Sequence, residues 1–143
     1  MTRIKSARGA AILELAVTLP LILLVAVGIF EFGRAYETMQ VLTNAAREGA
    51  RVAVLPAQPA GAAQTRVKDY MKLGGLDDTT ATITITATQI SLGGVATTPG
   101  SKVTVSYPFS FMVLQPVAKL VVSNSTLGGN FTMSAQAEMR NEQ

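Results

Sequence analysis

The chain contains no cysteine, no histidine and no tryptophan. Without thiols there is no disulfide framework, and without thiols and imidazoles there is no thiolate or imidazole metal site. Histidine-based acid–base or triad catalysis is excluded on the same ground. An exported protein that lacks disulfides suits a bacterium better than a eukaryotic secretory pathway. Charge is also scarce. Only 15% of the 143 residues are charged, and from Ala10 to Phe30 Glu14 is the single one. Asp77 and Asp78 are adjacent, so their side chains diverge on most backbones and make a poor acid–base pair. The glycine pairs at 74–75, 93–94 and 128–129 are not followed by Lys-Ser/Thr or a helix start that would cradle phosphate. No catalytic residue, metal or cofactor is therefore expected.

The run from Ala10 to Phe30 is 21 residues long. At ~1.5 Å per residue a helix of that length crosses the ~30 Å hydrocarbon core. A secretory signal peptide would have a shorter apolar region, followed by a small-x-small cleavage site that is missing here. The basic pI of about 9.5 does not point to nucleic acid. Arg3, Lys5 and Arg8 account for the net +3, and the nine basic residues beyond Gly9 balance nine acidic ones. No basic stripe is left to follow phosphates. The positive end instead predicts a cytoplasmic N-terminus and an exported C-terminal domain.

Past Glu31 the pattern becomes amphipathic. Ala35, Met39, Leu42, Ala46, Ala50 and Ala53 recur at three- and four-residue steps until Pro56. Arg34 with Glu37, and Glu48 with Arg51, are spaced as i,i+3 pairs. One helix from about Ala10 to Val54, roughly 65 Å long, is expected, with Pro20 inside it. A second helix covers about Ala60 to Leu73 and stops at Gly74-Gly75. Strand alternation then appears in Ala81–Ala87, Val103–Tyr107 and Phe131–Met139, each with one apolar and one small polar face. This predicts an antiparallel sheet covered on one side. Ile83, Ile85, Val103, Val105, Met133 and Ala135 should face the helix stripe of Met39, Leu42 and Ala46. Gly93–Ser101 reads as a loop that extends a hairpin. Phe109–Val122 is apolar but too short for a second span. It reads as a buried turn of helix, a loop, or a patch for a partner. The expected organisation is a basic leader at 1–9, a transmembrane helix half at 10–31 and an exported α+β domain at 32–143.

Glu14 is either a snorkelling residue at the membrane edge or a functional intramembrane acid. A cut after Gly9 would leave an α-amino group on Ala10 and a carboxylate on the fifth residue of the mature chain. In a bundle of such helices the Ala10 amine of one subunit could meet Glu14 of its neighbour. An ion pair in low dielectric matters because a lone partner would be a buried orphan charge.

Gly9-Ala-Ala-Ile-Leu-Glu14 is similar to the type IV prepilin processing motif. The wider run Arg8–Pro20, continuing through Gly28–Arg34 and Ala45–Arg51, resembles TadE-like proteins, the pseudopilins or minor pilins of the tight-adherence (Flp) pilus. Leu15 departs from the Tyr usual after that Glu in the major Flp pilins, which are also much shorter. The resemblance implies a pilin-like α+β fold and cleavage by a prepilin peptidase between Gly9 and Ala10. It also implies residence in a bacterial cell membrane and a role in initiating, capping or regulating a pilus or secretion filament. The implied partners are other pilin and pseudopilin subunits, the prepilin peptidase, an inner-membrane assembly platform and lipid. The rival readings are a permanently anchored, unprocessed envelope adaptor and an exported enzyme.

Overall fold

A computed structural model of the chain describes residues 3–91, 93, 96–121, 126 and 128–141. The elements in chain order are α1 (Arg3–Ala53), α2 (Ala62–Leu73), β1 (Thr82–Ser91), β2 (Thr97–Phe109), α3 (Leu114–Val121) and β3 (Phe131–Arg140). The fold is α+β, with a long N-terminal helix and one three-stranded antiparallel sheet in the order β1-β2-β3. The chain divides into two compact units. One comprises residues 1–34 and 110–129, and the other residues 35–109 and 130–143.

In the second unit the expected alternation sets the register. Ile85 pairs with Val103 and Ile83 with Val105 on one side, and Val103 with Ala137 and Val105 with Ala135 on the other. Val103, Val105, Phe109, Met133 and Ala135 are buried, while Thr84, Thr86, Gln136 and Glu138 are exposed. Ile83 and Ile85 on β1 are only half-buried. The strands run longer than the alternation alone suggests. β2 begins at Thr97, inside the expected loop, and Leu92, Gly94 and Val95 lie outside the described residues.

The buried stripe of α1 differs from the expected one. Thr38, Leu42, Ala45, Ala46, Gly49 and Ala50 are buried, whereas Met39 is 37% exposed and Ala35 and Ala53 are half-buried. The physical reason is close approach. A Cβ built on Gly49 would overlap Val67 Cγ2 and stand 3.3 Å from Val103 Cγ1. Small residues let α2 and the sheet reach the α1 backbone, and the larger Met39 is displaced from that face. Ala63, Val67 and Met71 complete this core from α2.

The end of α2 follows its glycines. Gly75 has φ 74°, Leu76 N–H donates to Met71 O at 2.9 Å and Gly75 N–H to Lys72 O at 3.0 Å. This is a Schellman closure, which needs a left-handed residue where glycine carries no Cβ penalty. Glu48 lies on the outer side of α1. It accepts from Arg66 Nη2 at 2.8 Å and Nε at 3.1 Å, and from Arg51 Nη2 at 3.2 Å. The Glu48–Arg51 pair was legible as i,i+3 spacing. Arg66, eighteen residues away, was not.

Candidate functional site

The first unit is built on the apolar half of α1. The helix starts at Arg3 and continues through Gly9, Ala10, Glu14 and Pro20. Met1 and Thr2 of the basic leader lie outside the described residues. Gly9, Ala10 and Glu14 are all exposed, and no heavy atom lies within 4 Å of where a Gly9 Cβ would stand. Gly9 and the Gly9–Ala10 bond thus sit on an open helical surface. Gly9 and Glu14 are five positions apart in an unbroken helix, about 7.5 Å along its axis. The backbone oxygen of Glu14 accepts a hydrogen bond from Thr18 Oγ1 at 2.9 Å.

The side chains that follow are apolar on every face, and most have no cover. Ile12, Leu13, Leu15, Val17, Leu19, Leu21, Ile22, Leu23, Val25, Ile29 and Phe30 are all exposed. A helix that is hydrophobic all round belongs in an apolar solvent or a bundle. Among the described residues, α1 contains the one segment long and apolar enough to cross a membrane.

The exposed surface has one exception. Leu24, Val27 and Gly28 are half-buried, and Glu31 is fully buried. Their spacing of i, i+3, i+4 and i+7 defines a single face. Glu31 Oε1 accepts the backbone N–H of Val113 at 2.6 Å, and Oε2 accepts from Arg34 Nη2 at 2.9 Å and Nε at 3.2 Å. Arg34 Nη2 also donates to the carbonyl of Ser110. Phe32 and Phe111 meet edge to face, with centroids 6.2 Å apart and planes at 72°. The turn after β2 is therefore clasped to α1 immediately past the apolar run.

This clasp was not legible in the sequence. In the sequence Glu31 marks only the end of the run, and the i,i+3 spacing matches Arg34 with Glu37. The structure pairs Arg34 with Glu31. The available signal was the apolar Phe109–Val122 stretch, which had no assigned partner. The structure resolves that stretch into the end of β2 at Phe109, a turn and α3, and Val122 lies outside the described residues. The described residues contain no cluster of three or more carboxylates that could hold a metal ion.

No curated protein and no solved structure matches the chain. Residues 9–51 match the model of a family described as TadE-like protein. That match begins at Gly9, covers the whole apolar run with Glu14, Glu31 and Arg34, and ends on the small-residue stripe that packs on the sheet. Over this segment the chain is similar to TadE-like proteins.

Proposed function

We propose that this protein is a minor pilin-like subunit of a Tad-type pilus or related secretion filament. In this reading it is held in the bacterial cell membrane by the apolar half of α1, with the N-terminus in the cytoplasm and the sheet domain exported. A prepilin peptidase cuts between Gly9 and Ala10. The new Ala10 amine then pairs with Glu14 of a neighbouring subunit as helices bundle at the inner-membrane assembly platform. The role is structural rather than enzymatic.

The observation that carries this reading is the placement of Gly9 and Glu14 on an exposed helix, ahead of an uncovered apolar surface, within the TadE-like match. A carboxylate on such a surface costs roughly 2.5–3.5 kcal/mol to insert even on the lenient scale, so it calls for a partner. Mass spectrometry of the native N-terminus tests the cut, in cells that contain the cognate prepilin peptidase. The mature chain should begin at Ala10, and Gly9→Leu should block processing. Retention of Met1 or Thr2 by the native protein would overturn it. The alternative reading is an uncut envelope adaptor. It predicts that the full-length chain stays in the membrane fraction and never enters sheared filaments.

A further inference from the structure

We propose that residues 110–121 form an interfacial membrane arm, resting on the headgroup–acyl boundary beside the point where α1 leaves the bilayer. The inference rests on the reading of Ala10–Phe30 as a membrane span. Its occupant is the lipid itself, specifically an anionic leaflet.

The argument starts from depth. Glu31 directly follows the last residue of the apolar run, and its carboxylate holds Val113 N–H at 2.6 Å. Whatever depth residue 31 has, the 110–113 turn shares it. The contacts run in order, with Arg34 to Ser110, Phe32 to Phe111 and Glu31 to Val113. The turn therefore proceeds antiparallel to α1, back toward the span. Irregular backbone at membrane depth is tolerated only where its polar groups are satisfied by protein. Glu31 and Arg34 supply that, taking the Val113 donor and the Ser110 acceptor. Pro116, in the first turn of α3, has no N–H to leave unpaired.

The outer surface of the turn is apolar. Met112 is 69% exposed and Val113 39% exposed. They are continuous in depth with Ile29, Phe30 and Phe32, which are also exposed. Residues 110–129 carry one charge, the exposed Lys119. A short apolar arm with a single cation is suited to the boundary layer. Apolar side chains there sink about 5–10 Å, and a lysine stem lets the ammonium reach phosphate.

The chain has no cysteine, so single-cysteine labelling needs no background removal. The full-length protein is placed in phosphatidylethanolamine–phosphatidylglycerol vesicles with an environment-sensitive fluorophore at Met112→Cys, Leu21→Cys or Thr84→Cys. Each sample is quenched by lipids brominated on the acyl chain or by aqueous iodide. Leu21→Cys and Met112→Cys should lose emission to brominated lipid, and exposed Thr84→Cys on β1 only to iodide. Iodide quenching at 112 with lipid quenching at 21 would overturn the arm and leave the span standing. A probe at 112 shielded from both quenchers would mean that protein covers the turn, which also overturns the lipid assignment. Iodide quenching at 21 would remove the span and the arm with it.

Discussion

Gly49 and Val67 meet over Val103, and the hydrogen of Gly49 leaves the space that the Val67 Cγ2 methyl fills. Gly49→Ala gains up to ~1 kcal/mol of helix propensity. Overpacking a filled site costs about 1–3 kcal/mol, so a net loss of stability is expected. Val67→Ala should then cost less in the Gly49→Ala background than alone, because the added methyl occupies part of the space. Urea unfolding of the four members of this cycle reads the coupling. Strict additivity would show that the two sites do not share that space.

The Glu48 cluster predicts an acid limb in stability. Hydrogen bonds from Arg66, then from Arg51, hold the Glu48 carboxyl below its ordinary value of 4.5. A carboxyl depressed on folding stabilises the fold above its unfolded value. That contribution disappears as pH falls below about 4.5 through the folded value. Glu48→Gln should lower stability near pH 7 by about 0.2–1 kcal/mol, the range of partly exposed pairs, and by less near pH 3. Denaturation curves at the two pH values check this, and an equal loss at both would disprove the assignment.

The second unit should fold without the first. Phe109 and Phe131 are register partners with ring centroids 5.5 Å apart, so the end of β2 lies beside the start of β3. A chain that starts at Ala35, with residues 110–130 replaced by Asn-Gly, closes that hairpin with a two-residue turn. It should be soluble and unfold cooperatively. A chain that starts at Ala35 but keeps residues 110–130 loses Glu31 and leaves Val113 N–H without its acceptor, so it should aggregate more readily. Size-exclusion profiles of the two distinguish them, and identical behaviour would contradict the division.

Glu14→Leu separates assembly from anchoring. The change lowers the cost of insertion, so membrane association should persist. If Glu14 serves the Ala10 amine of a neighbour, the orphaned ammonium costs on the order of 3–5 kcal/mol. Incorporation into filaments should then fall by more than about a hundredfold. Normal incorporation, measured by shearing and immunoblotting, would show that filament assembly does not depend on Glu14 meeting that amine.

Periodicity is enough to place the second half of α1, α2 and all three strands, because each buries one face at a fixed repeat, whereas the length of the apolar run places the first half of α1, which starts at Arg3 rather than Ala10. It failed where small residues do the packing. Gly49 and Ala45 give a weaker apolar signal than Met39, yet they are buried and Met39 is not. It failed again at Glu31, since a charge that ends an apolar run reads as surface. Its partner lies 82 positions away, beyond any local pattern. Gly9, Ala10 and Glu14 stand out for the opposite reason, as a glycine and a lone carboxylate in an apolar run where no folding rule requires them.

The order of the sheet bears on how the domain forms as the chain is made. β3 is the last element, and Met133 and Ala135 are its contribution to the core. Chains are synthesised from the N-terminus, so β2 is delivered with one flank open. Until the final strand follows, Val103, Val105 and Phe109 have an unfinished neighbour on that side. Such an exposed strand edge is the usual template for pairing between chains. The time between delivery of residue 109 and residue 140 is therefore the interval in which this domain is most exposed to misassembly, and trimming its C-terminus would make that interval permanent.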